Sequence, residues 1–275
     1  MDFNFTRIST ITLSMLLNLS SQSSFAANQL PHHFKKNKGE AQKTSPWFGP
    51  PSLKTLFTEK NPKFSLQLGW FDATQGHSQD ININSLIGDN FFSVNQSHHS
   101  NGLVGIGYYF EGQDLYSFNM NYGLNAMYLA KTPVSGTVLQ EQLFENLAYH
   151  YSITHWPIYF AAKAIHQQGF HENIHVALDG GIGLNILQTN HFGETSLDGI
   201  TIPDDIFSGQ TTTAFSAMVG VGLRVNNMFG KAPLECGYRF LYLGQSNLKA
   251  LTNQVLNPLS TGQSYANAVM CSITV

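Results

Sequence analysis

After Pro62 the chain alternates apolar and polar side chains with a period of two, the period at which a β-strand sends successive side chains to opposite faces. The clearest stretch is Leu234–Gln245, LECGYRFLYLGQ. Leu234, Cys236, Tyr238, Phe240 and Tyr242 form one stripe, apolar and aromatic. Glu235, Gly237, Arg239, Leu241 and Leu243 form the other, with two opposite charges. A soluble sandwich would point the aromatics at a core and the charges at water. A transmembrane barrel would point the aromatics at lipid and the charges inward.

The same alternation predicts about eight strands. They cover Lys63–Asp72, Leu103–Phe110, Leu115–Leu129, a stretch within Leu147–Ile165, Ile174–Leu187, Thr212–Val225, Leu234–Gln245 and Tyr265–Val275. The fourth is expected to be less regular and broken near Pro157, which lacks a backbone donor and suits a bulge or an edge. On the third, Tyr116, Phe118, Met120, Tyr122, Leu124 and Tyr128 are expected to share the apolar face. Short connections, Glu111–Asp114, His166–Asn173 and Asn226–Pro233, alternate with long ones, Ala73–Gly102, Ala130–Asn146, Gln188–Thr211 and Ser246–Gly262. Membrane barrels show this rhythm, with tight turns on one side and long loops on the other.

Composition sharpens the choice. Charged residues make up 11% of the chain, against roughly 25% in ordinary soluble domains. The mature part offers no run of the ~20 apolar residues that a membrane helix needs. A net charge of -3 argues against a nucleic-acid partner, which requires a basic patch. Three strands repeat a Gly-x-Gly pattern, at Gly105 and Gly107, Gly181 and Gly183, and Gly220 and Gly222. No helix start or Walker-type lysine accompanies these glycines, so they read as small residues on a crowded inner face rather than a phosphate cradle. The charges Asp179, Arg224, Glu235 and Arg239 fall on that same face. An arginine on the lipid side at mid-membrane costs about 2–4 kcal/mol, whereas a lumen can pair it. The four are therefore expected inside, as a salt-bridged plug, with Arg224 opposite Glu235. Lys163 is a candidate fifth member whose face Pro157 leaves open. Trp70, Tyr108, Tyr128, Trp156 and Tyr242 are expected to form interfacial girdles.

Residues 1–26 read as a secretory signal: Arg7, a moderately apolar run from Ile8 to Leu19, then Ser24-Phe25-Ala26. Residues 27–61 read as a flexible periplasmic leader with His32, His33, Lys35, Lys36, Lys38 and Lys43 before Trp47-Phe48-Gly49-Pro50-Pro51. The barrel is expected over 62–275.

The signal, the alternating strands, the long-short loops and a last strand ending at the final residue resemble small eight-stranded bacterial outer-membrane barrels, the opacity-protein and OmpA/OmpX-type domains. The resemblance implies an all-β, antiparallel, up-and-down transmembrane barrel in a Gram-negative envelope. Outer-membrane lipid, lipopolysaccharide and the barrel-assembly machinery are its implied partners. Members of the group usually end in an aromatic residue; here Val269, Cys271, Ile273 and Val275 keep the pattern and the last residue is Val. The group's roles run from envelope integrity and adhesion to small-solute passage, so fold does not select among them.

Residues for chemistry are sparse. His98 and His99, with His77 and Asp89, are the nearest thing to a metal set, and a polar loop is the simpler reading. His150, Ser152 and His155 lack a placed acid, so no catalytic group and no cofactor are expected. The loop between Cys236 and Cys271 is centred near Asn253–Gln254, so symmetric pairing would set the two side by side as a disulfide. A shifted register would leave two thiols. The reading is a non-enzymatic outer-membrane barrel with a structural or surface-interaction role, its outer loops touching envelope components or host surfaces. A narrow porin-like channel or apolar-ligand conduit is the alternative.

Overall fold

The structure, a computed structural model, describes residues 62–84, 88–96, 98–168 and 173–275. The expected signal, 1–26, and leader, 27–61, lie outside the described residues. Twelve strands are present among them: β1 (Lys63–Thr74), β2 (Gln79–Ile81), β3 (Asn90–Gln96), β4 (His98–Glu111), β5 (Phe118–Gln140), β6 (Phe144–His166), β7 (Ile174–Ser196), β8 (Phe207–Ser208), β9 (Thr211–Phe229), β10 (Ala232–Gly244), β11 (Lys249–Ala250) and β12 (Ser264–Thr274).

Eight of these close a barrel. β1 pairs with β4, β4 with β5, β5 with β6, β6 with β7, β7 with β9, β9 with β10, β10 with β12, and β12 returns to β1, every pair antiparallel. Closure leaves no unpaired edge in this ring, the condition for a sheet to sit in hydrocarbon. At one end the staves join through 112–117, 167–173 and the two-residue turn Gly230-Lys231, where Gly230 takes φ 68°. Two-residue hairpins need such left-handed residues.

The alternation resolves as the membrane arrangement requires. Phe64, Leu66, Leu68 and Trp70 on β1, Ile106 on β4, Phe160 on β6, Ile182 and Leu184 on β7, Val219 and Val221 on β9, and Tyr238 and Phe240 on β10 are all exposed on the outer wall. Phe160 is 73% exposed, a level that would be costly in water over a continuous belt and is ordinary in lipid. Aromatic groups bracket the belt. Phe64, Tyr108 and Phe110 pack at the turn end; toward the loop end the Tyr128 and Trp156 rings lie 4.4 Å apart, and Phe215, Tyr242 and Tyr265 form a second group. Beyond Trp70 the outer wall turns polar: Ser100 Oγ donates to Asp72 Oδ1 at 2.9 Å, and Thr74 Oγ1 lies 3.0 Å from His98 Nδ1.

Three sequence expectations need correction. The connection Ala130–Asn146 is not a loop: β5 and β6 run through it as one tall hairpin turning at 141–143, with Val134 opposite Tyr151 and Thr137 opposite Ala148. Pro133, Ser135 and Gly136 look like loop punctuation, but Val134 and Val138 are buried by partners that only the folded chain supplies. Pro157 does not break β6. It sits opposite Asn185, and the β5–β6 register slips instead between Leu129 and Thr132. Tyr116 leaves the apolar stripe and lies in the turn at φ 53°.

β5, β6 and β7 each have 23 residues. That is about 75 Å along the strand at ~3.3 Å per residue, whereas a crossing takes about 9–11 residues. Roughly half of each stands beyond the belt. There β2 and β3 extend the wall through β5, with Phe92 opposite Val138, and β8 pairs with β11. Ile83 bridges Val255, Asn84 N donates to Gln254 O, and Leu256 N donates to Asn82 O. The connections at this end therefore fold on one another rather than project singly. They share a core of Ile81, Phe92, Tyr149, Tyr151, Leu187, Phe207, Leu248 and Leu259.

Candidate functional site

At the turn end the interior opens as a vestibule of about 680 Å³, lined by Lys63, Glu111, Asp114, His175, Arg224 and Asn226 among others. Lys63 Nζ pairs with Glu111 Oε1 at 2.5 Å. Arg224 lies opposite Glu235 in register, half-buried, but its Nε donates to Asn226 Oδ1 at 3.0 Å rather than to a carboxylate.

Above it four buried charges fill the lumen. Lys163 Nζ donates to Glu235 Oε1 and Oε2 at 2.7 and 2.9 Å. Arg239 Nε donates to Asp179 Oδ2 at 2.6 Å, and its Nη2 reaches both Asp179 and Glu235, the latter at 3.2 Å. Lys163 Nζ also lies 5.3 Å from the centre of the Tyr109 ring. Two cations meet two anions, so the cluster is formally neutral. Neutral pairing with hydrogen bonds is what allows charge to be buried at all. Asp179, Glu235 and Arg239 thus come together, and the second cation is Lys163 from β6 where sequence reading favoured Arg224. The uncertain face of a strand thought to break at Pro157 concealed it.

Gly220 makes the cluster possible. A Cβ there would land on Asp179 Oδ1 and 2.6 Å from Arg239 Cγ. Gly107 does the same for Tyr109, whose ring edge would meet a Cβ at 2.6 Å.

The middle of the lumen is apolar, with Phe71, Leu103, Met127, Leu129, Met218, Leu241 and Met270 buried around Tyr159. Tyr159 Oη lies 2.8 Å from Ser216 Oγ, which donates to Tyr242 O. A polar layer follows: Asn185 Nδ2 donates to His155 Nδ1 at 2.8 Å and to Leu243 O at 2.7 Å, and Gln75 Nε2 donates to Thr132 Oγ1 at 2.6 Å. The loop-end core closes the top. Buried side chains thus follow one another through the lumen, from the ion cluster through the apolar middle to the loop-end core.

The cysteines lie directly opposite each other on β10 and β12 and are bonded, with Cα atoms 4.0 Å apart. Cys271 faces the outer wall. His98 sits beside Asp72, at 3.8 Å, while Ser152 Oγ donates to Asn190 O and His155 is taken by Asn185. Among the described residues no three His, Cys, Asp or Glu converge as metal ligands.

Beyond the belt, carboxylates organise the β7–β8 connection, 197–206. Glu194 is buried and accepts from Asp204 N and Asp205 N at 3.1 and 3.2 Å. Burial holds its carboxyl above the usual carboxylate range. Asp198 accepts from Thr201 N, Thr201 Oγ1, Ile200 N and Ser196 Oγ, which hold it well below that range. Sequence reading missed both, because nothing local separates a loop-organising carboxylate from a solvated one.

A closed antiparallel barrel with an apolar exterior and a paired, charged interior is a transmembrane β-barrel of the outer-membrane kind. No family model and no curated protein matches the chain. Among solved structures it is similar to Ail, the attachment invasion locus protein of Yersinia pestis, at 10% identity and TM-score 0.33, over 78% of this chain and 100% of that one. The outer membrane protein OprG from Pseudomonas aeruginosa gives 12% and 0.43, over 78% and 97%. The outer membrane protease OmpT from Escherichia coli gives 10% and 0.37, over 78% and 94%. Similarities this weak carry no argument about activity; the class rests on this chain's own geometry.

Proposed function

We propose that the protein is an exported, non-enzymatic outer-membrane barrel that serves as a rigid anchor for a folded outer cap, and that the cap makes surface contacts. The observation that carries this is the succession of buried side chains through the lumen. With the Lys163–Glu235 and Arg239–Asp179 cluster at one level and the loop-end core above it, solute passage has no ready-made route. What the barrel leaves available is its loop end. The short-turn end would face the periplasm, with the leader 27–61, and the long-loop end would face outward. Outer-membrane lipid, lipopolysaccharide and the barrel-assembly machinery are the environment this reading implies.

Two measurements test it. Protease added to intact cells should clip only the loop-end segments, and purified protein in planar bilayers should give no steady conductance. Stable ion-selective steps would overturn the anchor reading in favour of a narrow channel.

A further inference from the structure

The outermost ends of β5, β6 and β7 carry large apolar side chains that the fold leaves uncovered. Leu143 lies in the β5–β6 turn and Phe144 beside it. Leu197, Ile200 and Ile202 lie in the β7–β8 connection. Ile200 is 84% exposed and Ile202 81%. The two segments adjoin: Leu197 N donates to Asn146 O at 2.8 Å, and Asn146 Nδ2 donates to Thr201 Oγ1 at 3.0 Å. The two segments that carry the five side chains therefore lie side by side, unlike single scattered surface residues. They lie beyond the lipid belt, whose exposed apolar row on β7 ends at Ile186 while the strand runs on to Ser196.

Besides the buried Glu194, the same two segments, 141–146 and 194–205, hold Glu141, Glu145, Asp198, Asp204 and Asp205, and neither contains a lysine or an arginine. An apolar patch whose own two segments carry carboxylates and no cation selects its partner. An anionic lipid surface would be repelled. A chain bearing basic side chains around an apolar centre meets both features at once: the rim steers it, and the desolvated centre holds it.

We propose that this patch docks a polypeptide of that character, with Ile200 and Ile202 as anchors and Glu145 and Asp204 as rim charges. The outward exposure of the site rests on the orientation argued above, but binding itself does not, since the patch is equally accessible in purified protein.

The test uses the full mature chain in nanodiscs of zwitterionic lipid, with empty nanodiscs subtracted. The probe is a fluorescent amphipathic helical peptide of leucine and lysine, compared with leucine–glutamate and serine–lysine peptides of the same pattern. The leucine–lysine peptide should bind at least about ten-fold more tightly than either control, and about ten-fold less tightly to Ile200→Ser/Ile202→Ser or to Glu145→Gln/Asp204→Asn. Unchanged heat-shifted gel mobility would show that the variants keep the barrel. Equal binding of the glutamate peptide, binding untouched by the variants, a preference for anionic vesicles, or self-association abolished by Ile200→Ser/Ile202→Ser would each overturn the proposal. A failure of the cell-surface protease experiment would overturn the orientation and leave this result standing.

Discussion

Lys163 Nζ lies 2.7 Å from Glu235 Oε1, although their strands, β6 and β10, are separated by β7 and β9 in the barrel wall. The pair therefore crosses the lumen and ties two non-adjacent staves together. Removing one partner leaves a buried charge uncompensated, which costs about 3–5 kcal/mol. Lys163→Met should destabilise the barrel by that order in urea titrations followed by heat-shifted gel mobility. Lys163→Met/Glu235→Leu restores neutrality around Arg239–Asp179 and should recover most of the loss. A double variant as unstable as the single one would show that the ion pair does not govern the site.

Two neighbouring glycine positions should behave in opposite ways. Gly220 faces Asp179 and Arg239, and Gly220→Ala should cost about 1–3 kcal/mol as the cluster is forced apart. Gly180 faces out, and the nearest atom to its missing Cβ is Met218 O at 3.7 Å. Gly180→Ala should leave the urea midpoint nearly unchanged.

The lipid-facing row makes a directional prediction. Ile182→Arg, in the middle of the exposed apolar row of β7, should cost about 2–4 kcal/mol in lipid vesicles. Thr195→Arg, exposed on the same strand beyond the belt, should cost little. Refolding titrations in vesicles measure both.

The two loop carboxylates respond to pH with opposite sign. Glu194 has its carboxyl raised, so the folded loop binds its proton more readily than the unfolded chain; its contribution is present at low pH and lost as pH rises through the raised value. Asp198 has its carboxyl lowered, so its contribution is present above the usual carboxylate range and lost as pH falls through the lowered value. Amide exchange of Asp204 and Asp205 should quicken as pH rises through the Glu194 transition, after correction for intrinsic rates. Glu194→Gln should remove that step. Exchange of Thr201 should quicken only in strong acid.

The staves and their faces were legible in the sequence because a half-buried strand must alternate, and a lumen with few charges advertises them. Asp179, Glu235 and Arg239 could be placed on one face by counting in twos. Lys163 could not, because Pro157 interrupts the count and only the pairing with Asn185 shows that the strand continues. The loop-end core was illegible for another reason. Ile81, Phe92, Phe207, Leu248 and Leu259 come from three separate connections, and their burial depends on contacts between distant segments rather than on any local period.

The inside-out arrangement is most directly measured with single nitroxide labels in lipid bilayers, in a Cys236→Ser/Cys271→Ser background. Labels at Phe160, Ile182 and Val219 should collide freely with dissolved oxygen and poorly with a water-soluble nickel complex. Labels at the adjacent Ala161, Gly181 and Met218 should be shielded from both. The reverse alternation, with the second set open to oxygen and the first shielded, would contradict a barrel whose apolar wall faces lipid.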